Sequence, residues 1–356
     1  MILPLMTLKQ ILADADQRKY GVGMFNVINL EMLKAIIEAA EEENSPVILG
    51  FAEVHKAYMD IETLAPMMVK AAKEASIPVA VHYDHGQSFE GIVKAMHYGF
   101  TSVMYDGSML PYEQNVRNTQ EVVRIAKILN VSVEAELGHV GGAEGGLGGQ
   151  DDPSAFYTDV NQAADFVLRT GIDALAVAVG TVHGVYRSQP KLDLDRLEAI
   201  KKRVNIPLVL HGGSGLSDQD FQNAIARGIS KINIFTDMSL AAVNTLQDSV
   251  CLCDKPSCTG AFSDECLIKM DKPNLYHENS QEAIVQRVVQ RVLLQLKEGE
   301  GVYNTSELNY PDVITATISG IKAEVKHKIE IFGSNGKACA FSCTHSGGCS
   351  CGCQKD

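Results

Sequence analysis

Three histidines, each followed by glycine, close apolar runs of the chain and could together hold a metal ion. They are His85, His183 and His211, and the runs before them begin near residues 79, 177 and 207. One histidine so placed would more often be a core residue than a ligand, but three on separate runs reverse that expectation. Three imidazoles with an open coordination position suit a catalytic Zn²⁺, which polarises a substrate carbonyl and stabilises the enediolate formed next to it.

A carboxylate accompanies the first of these histidines. Asp84 precedes His85 directly, and regular alternation along a strand would turn the two side chains to opposite sides of the strand end. We expect Asp84 to act as a general base toward a substrate hydroxyl. The alternative is a carboxylate that only orients a ligand histidine.

Further acidic residues lie close to the ends of other apolar runs. Asp106 and Glu136 could form an outer metal position or hold ligands, and capping or orienting roles are equally compatible with the sequence. Glu144 lies in a glycine-dense loop, residues 138–149, which we expect to move. If the loop closes over the site, Glu144 would donate and accept a proton at a substrate carbon. The alternative is that Glu144 is a solvated charge in the loop.

A glycine-rich turn after the third histidine predicts a phosphate site. Barrels commonly bind phosphate after strands seven and eight, through backbone N–H groups and a helix N-terminus. The turn is Gly212-Gly213-Ser214-Gly215, and Asn233 with Thr236 follows the eighth predicted strand. With Asn26 near the end of the first strand and Gly184 after His183, these residues form the predicted substrate and phosphate contacts.

The elements that must position these side chains are alternating strands and helices. Eight strand–helix repeats span residues 22 to about 247, preceded by an amphipathic helix over residues 7–19 that we expect to cover the closed bottom of a barrel. Their number, order and size predict an α/β fold, a (β/α)8 TIM barrel. A doubly wound sheet is the alternative, but it does not explain polar residues at so many separate strand ends.

The pattern changes after the barrel. We predict a catalytic barrel over residues 1–248, a Cys-containing helical insertion over 249–309 with a helix at 280–297, and a C-terminal helix packing on the barrel over 310–338. A Cys-rich tail follows at 339–356. The tail could bind an extra soft metal ion through its thiolates, or it could be a disordered appendix with free thiols.

Composition limits the class of protein. Apolar residues make up 46% and the formal net charge is −13, which argues against a nucleic-acid partner. The start is too short for a signal-peptide core, no apolar run approaches a membrane span, and no cysteine precedes Val250. We therefore expect a cytoplasmic protein with no membrane partner, acting as a homodimer or homotetramer.

Several blocks in matching order and spacing resemble the class II, zinc-dependent fructose-bisphosphate and tagatose-bisphosphate aldolases. The blocks begin at His82, Tyr105, Glu134, Gly141, Gly180, His211 and Asn233. The resemblance implies reversible cleavage of a ketose bisphosphate to dihydroxyacetone phosphate and an aldehyde. It assigns zinc to the three histidines, base chemistry to Asp84 and a catalytic role to Asn233. It also implies a Na⁺ or K⁺ ion near the backbone of Val182, Gly184, Gly212 and Ser214.

Departures from the family pattern affect the expected substrate. Phe235 stands where the fructose enzymes usually carry an acidic residue, Ser239 where they carry an arginine, and Ala52 where a phosphate-side serine is common. A serine cannot supply the bidentate phosphate contact of arginine. The alternatives are thus the same chemistry on a different phosphorylated ketose or keto acid, of the inositol-catabolism type, or a non-catalytic metal-holding barrel.

Overall fold

Eight parallel strands close into one barrel and follow one another around it in chain order. The structure, a computed structural model, describes residues 4–141, 156–184, 190–250 and 309–342. The predicted (β/α)8 TIM barrel is confirmed. Strands β1 to β8 are Val22–Asn26, Val47–Ala52, Val79–Gly86, Ser102–Tyr105, Ser132–Leu137, Ala174–Val177, Leu208–Leu210 and Ile229–Ile234.

Helices alternate with the strands along the chain. In the described ranges, α1 to α10 are Leu8–Arg18, Leu30–Glu42, Ile61–Glu74, Phe89–His97, Tyr112–Leu129, Val160–Thr170, Leu194–Arg203, Asp218–Ala226, Thr236–Val250 and Tyr310–Phe332. Short 3-10 turns cover Glu53–Ala57 and Lys337–Ser342. Every residue of the eight strands is buried, as expected of a parallel sheet that is covered on both faces.

The amino ends of the strands are closed by α1, as predicted. Thr7 begins this helix with a capping box, since its side chain accepts a hydrogen bond from the backbone of Gln10 and the Gln10 side chain accepts one from the backbone of Thr7. The inward face of α1 carries Leu8, Ile11, Leu12 and Ala15, which pack with small and aliphatic residues inside the barrel. The opposite end of the barrel therefore remains the place for chemistry.

Two predicted strand bounds are wrong, and both errors concern the site. The sequence predicts a sixth strand over residues 174–180, but the strand ends at Val177, and Gly180 has a φ of +113° that a regular strand does not accommodate. The sequence predicts an eighth strand over residues 231–236, but the strand is Ile229–Ile234, so Asn233 lies within it and Thr236 already begins α9. His183 consequently lies in a loop after β6, whereas His211 follows the end of β7 directly.

The C-terminal part of α10 contributes buried residues to the barrel's hydrophobic core. Its buried face carries Ile321, Val325, Ile329 and Phe332, which join the main hydrophobic core. The ring of Phe332 lies 5.1 Å from that of Phe221 in α8, measured between centroids. This contact brings α10 close to the segment between β7 and β8.

The chain divides into two compact units, residues 1–245 with 316–356 and residues 246–315. The predicted insertion, residues 249–309, falls entirely within the second unit, and its helix at 280–297 lies outside the described residues, as do Cys251 to Cys266. Of the predicted tail, only Cys339 to Ser342 are described, in the 3-10 turn. The Cys339 thiol accepts a hydrogen bond from Asn44 Nδ2 at 2.8 Å.

Candidate active site

The three predicted ligand histidines meet at the carboxyl end of the barrel. One ligand atom from each of His85, His183 and His211 can be chosen so that all lie within 4.8 Å of one another, and all three residues are buried. The ring centroids of His85 and His211 are 4.6 Å apart, and those of His85 and His183 are 4.9 Å apart. Convergence of three imidazoles at this distance is the geometry of a metal site.

A bulge in β3 explains how two successive residues reach the same site. His85 has a φ of +49°, and the register between β3 and β4 shifts between Tyr83 and Gly86. A β-bulge re-aims a side chain in this way, and strained backbone of this kind clusters at functional sites. The expectation that Asp84 points to the other side of the strand end is therefore wrong, because both side chains face the barrel mouth.

Hydrogen bonds to carboxylates determine which ring nitrogens face the centre. His85 Nδ1 donates to Asp106 Oδ2 at 2.8 Å, and His211 Nε2 donates to Glu134 Oε1 at 2.8 Å. Carboxylates only accept, so these two nitrogens carry protons. The remaining nitrogens, His85 Nε2 and His211 Nδ1, are 2.9 Å apart and are the atoms available to a metal ion.

The side chains fit a cation. Burial works against a charged imidazole, but Asp84, Asp106 and Glu136 outweigh burial and raise the pKa of His85 to about 10. Carboxylates that stabilise a proton on this ring also stabilise a metal ion that takes the place of the proton. The donor set and its surrounding charge therefore both suit a divalent cation.

Asp84 is held in place by two amides. Asn26 Nδ2 donates to one carboxylate oxygen and Asn233 Nδ2 to the other, both at 3.1 Å. Asp84 is fully buried, and burial raises its pKa, but the positive charges of His85 and Lys231 and the hydrogen bond from Asn26 lower it below the usual value. Asp84 is thus ionised and able to accept a proton.

Asp106 and Glu136 complete a second group of possible ligands with His85, whose ligand atoms also lie within 4.8 Å of one another. Glu136 Oε1 accepts from the backbone of Val140 at 3.0 Å, while Oε2 is buried without a hydrogen-bond partner among the described residues. Burial, followed by the nearby charge of Asp106, raises the pKa of Glu136 to about 8. The structure thus brings both predicted residues to the site.

A buried ion pair beneath the histidines was not predicted from the sequence. Lys231 Nζ lies 2.8 Å from Glu134 Oε2 and donates to Oε1 at 3.1 Å, and both side chains are fully buried. Glu134 is the acceptor that orients His211, so Lys231 neutralises that carboxylate. The alternation of side chains along a strand could have identified both residues, because residues two apart face the same side. Lys231 precedes Asn233 by two residues, and Glu134 precedes Glu136 by two.

The predicted phosphate residues separate into two groups. Asn26 and Asn233 contact Asp84. Ser214 instead accepts a hydrogen bond from the backbone of Asp237 at 3.3 Å. Gly212 has a φ of +62°, and a Cβ there would lie 2.5 Å from the Val182 carbonyl oxygen. The turn at residues 212–215 therefore packs its backbone closely against the segment that carries His183 and Gly184, whereas Thr236 lies at the start of α9.

An aromatic pair lies at the carboxyl end of β8. The Phe235 ring is 4.3 Å from the ring of His55, which belongs to the 3-10 turn after β2. Phe235 follows Asn233 by two residues and is partly buried. The sequence indicates Phe235 but not His55, because the contact between them depends on closure of the barrel between β8 and β1.

The remaining predicted residue, Glu144, lies outside the described residues, as does most of its glycine-rich loop. The loop leaves β5 through Gly138, and its described beginning contacts the site. Ser108 Oγ donates to Asp106 at 2.7 Å and lies 3.1 Å from His139 Nδ1. A hydrogen-bonded chain thus joins the start of the loop to His85 through Asp106.

The family model for class-II fructose-bisphosphate aldolase matches residues 6–337 of the chain. A probable fructose-bisphosphate aldolase of Bacillus subtilis is 44% identical over 254 residues, 70% of this chain and 87% of that protein. The fructose-bisphosphate aldolase of Geobacillus stearothermophilus is 46% identical over 249 residues, 69% of this chain and 86% of that protein.

A solved structure agrees with these sequence matches. The YdjI aldolase of Escherichia coli superimposes with a TM-score of 0.71 at 32% identity, covering 94% of this chain and 99% of that chain. Across the part of the chain that the structure describes, every helix is too short or too polar to cross a membrane.

Proposed function

The chain belongs to the class II fructose-bisphosphate aldolase family, and we propose that His85, His183 and His211 hold a zinc ion for its reaction. The enzyme is an aldolase, a carbon–carbon lyase that cleaves a ketose bisphosphate. The convergence of three buried histidines carries the assignment of the site. When bound, zinc supplies a Lewis acid that draws electron density from the substrate carbonyl oxygen.

Asp84 serves as the general base. It takes the proton from the substrate hydroxyl adjacent to the bond that breaks, the carbon–carbon bond opens, and its electron pair passes to the fragment with the carbonyl. That fragment leaves as dihydroxyacetone phosphate, and the other leaves as an aldehyde. The hydrogen bonds from Asn26 and Asn233 hold both carboxylate oxygens, so Asp84 needs little reorganisation before it accepts the proton.

Glu144 returns a proton to the carbon that gained the electron pair. Its position in a loop that begins next to the Asp106–Ser108–His139 chain supports this role, because loop closure would bring it over the site. Asp106 orients His85, and Asp106 and Glu136 offer an outer position for the metal. Glu144→Gln should slow detritiation of dihydroxyacetone phosphate while leaving its binding nearly unchanged.

The phosphate of the dihydroxyacetone end binds the turn at residues 212–215, with Gly184 and Thr236 beside it. Backbone N–H groups at a glycine turn before a helix suit an anion. A Na⁺ or K⁺ ion near the backbone of Val182, Gly184, Gly212 and Ser214 would add positive charge. The close approach of Gly212 to the Val182 carbonyl supports this grouping.

The distal end of the substrate faces the pair Phe235 and His55. An aromatic ring at this place offers no carboxylate to the distal half of the sugar, and Ser239, one helical turn later, offers no guanidinium to a second phosphate. This observation favours a phosphorylated ketose other than fructose 1,6-bisphosphate as the preferred substrate. A metal-holding barrel without catalysis is disfavoured because the base, its amide partners and the three histidines are all in place.

Two experiments test these proposals. A chelator should abolish aldol cleavage and added Zn²⁺ should restore it, while His183→Ala should lose the metal; full turnover in a verified metal-free sample would contradict the zinc assignment. A panel of fructose, tagatose and related ketose phosphates then compares kcat/KM. Strong preference for fructose 1,6-bisphosphate would contradict the argument from Phe235.

The proposal also covers the oligomeric state of the enzyme, its location and the metal content of its tail. We expect a homodimer or homotetramer in the cytoplasm, with a sugar phosphate as the small-molecule partner. The thiolates of the Cys-rich tail would bind a further soft metal ion apart from the catalytic one. Sedimentation of the purified protein tests the oligomeric state, and metal analysis tests the additional soft metal ion of the tail.

A further inference from the structure

A lysine on α10 is buried beside the turn proposed to bind phosphate. Lys328 is 5% exposed, its Nζ lies 2.8 Å from Asp237 Oδ2 and 3.2 Å from Glu324 Oε1, and it lies 5.0 Å from the centroid of the Phe221 ring. A lysine is rarely buried to this degree unless its charge is paired.

Asp237 connects this lysine to the turn. Its backbone N–H donates to Ser214 Oγ at 3.3 Å, and its carboxylate accepts from the Gly215 backbone N–H at 3.4 Å. Two groups of the turn are therefore fixed by one aspartate, and the same carboxylate oxygen that accepts from Gly215 is the one that Lys328 contacts. The position of the turn thus depends on where Lys328 holds Asp237.

Packing from the other side restricts the turn further. A Cβ added at Gly213 would lie 3.2 Å from the Phe221 ring and 3.0 Å from the Ile232 side chain. Phe221 is the ring over which Lys328 lies, and it also packs against Phe332 of α10. The turn and the lysine therefore share a rigid support.

The charges raise a difficulty that Lys328 resolves. A phosphate bound to the turn would lie near the Asp237 carboxylate, which already accepts from the Gly215 N–H, and two neighbouring negative groups repel strongly at low dielectric. We propose that Lys328 is a positioning residue for substrate binding, which neutralises Asp237 and holds it so that the turn accepts a phosphate. This inference rests on the proposed phosphate site.

Replacement of the lysine provides the first test. Lys328→Met should weaken competitive inhibition by inorganic phosphate about ten-fold or more, because an unpaired carboxylate then faces the anion. KM for the phosphorylated substrate should rise by a similar factor, while kcat changes little. Lys326→Met is the matched control, since Lys326 lies on the same helix but pairs with Glu42 and Glu43, and it should leave both constants within two-fold of wild type.

Removal of the carboxylate tests the charge argument directly. In Asp237→Asn, Lys328 retains its charge and faces only Glu324, so inorganic phosphate should bind about three-fold tighter or more. Asp237→Asn combined with Lys328→Met should return phosphate affinity to within about three-fold of wild type. If the Lys328–Asp237 ion pair were purely structural, removal of the second charge would not restore phosphate affinity.

The outcomes separate this inference from the proposed function. If the enzyme cleaves a ketose bisphosphate but Lys328→Met keeps wild-type phosphate affinity, or the double variant is as weak as the single, the role of Lys328 is wrong. If no ketose phosphate is cleaved, the proposed substrate fails, yet inorganic phosphate binding still tests the lysine. If Lys328→Met does not fold, unchanged or weaker phosphate binding by Asp237→Asn overturns the inference.

Discussion

Among single residues, Asp84 should affect chemistry without affecting the metal. Its carboxylate is held by Asn26 and Asn233, and the three histidines alone make up the expected ligand set. Asp84→Ala should keep bound zinc and lose about 10²–10⁴-fold in kcat, the usual contribution of a general base. Zinc analysis and single-turnover cleavage measure the two effects.

Asp84→Asn is the matched variant, because it preserves the shape of the side chain and removes its ability to take a proton, together with one of the two hydrogen bonds from Asn26 and Asn233. It should be nearly as slow as Asp84→Ala. Wild-type cleavage in either variant would reassign Asp84 to the orientation of a ligand histidine.

Glu134 should show the opposite pattern, with metal affinity as the main change. It accepts the proton of His211 Nε2 and is itself paired with Lys231. Glu134→Gln keeps a similar shape but gives up the charge, so the hydrogen bond that orients His211 weakens and zinc should bind about 10–100-fold more weakly. Competition with a chelator of known affinity provides the measurement.

Excess zinc should restore most of the cleavage in Glu134→Gln, since this residue contacts neither substrate nor base. Unchanged zinc affinity would mean that the Lys231–Glu134 pair only stabilises the barrel interior. A destabilised variant would be recognised by a lower Tm in the presence of saturating zinc.

At the scale of elements, much of the barrel and part of the site follow from the sequence. Apolar runs that end in His-Gly predicted both the strands and the ligands, because a parallel barrel places all carboxyl ends of its strands at one mouth. Other features depend on local departures from regularity. Alternation predicted opposite directions for Asp84 and His85, and only the bulge at His85 brings them together.

Pairs that are distant in sequence were also beyond prediction. Lys231 and Glu134 lie on β8 and β5, and Lys328 meets Asp237 only because α10 packs beside α9 and α8. A single sequence records the residue types in such pairs but not the distance between them. Buried charges on inward strand positions are the signal that could have indicated the first pair.

The helix α1 provides a prediction about stability that is separate from chemistry. Leu12 is fully buried at the amino end of the barrel, opposite the site. Leu12→Ala should lower the free energy of unfolding by about 2–5 kcal/mol, the usual cost of a buried Leu→Ala cavity. Denaturant unfolding measures this loss, and kcat at low temperature should stay close to wild type.

Lys9→Ala is the control on the same helix, because the Lys9 side chain is exposed and its pair with Asp173 lies at the surface. It should change stability by no more than about 0.5 kcal/mol. A small effect of Leu12→Ala would mean that α1 contributes little to closing the barrel. A loss of kcat in a folded sample would mean that the two ends of the barrel are coupled.

At the scale of the whole molecule, the catalytic side chains and the cysteines occupy different parts of the chain. The site residues identified in the structure lie between Asn26 and Asp237, with Lys328 added from α10, whereas the cysteines begin at Cys251. Cys339 is held in the turn Lys337–Ser342 by Asn44, so it belongs with the folded part that ends at Ser342. The soft-ligand cluster that could act by itself therefore begins at Cys343.

Truncation after Ser342 should separate the two kinds of metal site. It removes Cys343, Cys349, Cys351 and Cys353 together with His345, and it leaves the Cys339–Asn44 contact intact. Thiolates at this spacing suit Zn²⁺ or another soft ion, so total bound zinc per chain should fall. Cleavage per active-site zinc should not change, because none of the residues assigned to the active site is among those removed. Replacement of the same four cysteines by serine in the full-length chain controls for loss of the segment itself and should give the same fall in zinc. An unchanged metal content would show that the tail binds no metal, and a loss of cleavage at full active-site occupancy would assign the tail a part in catalysis.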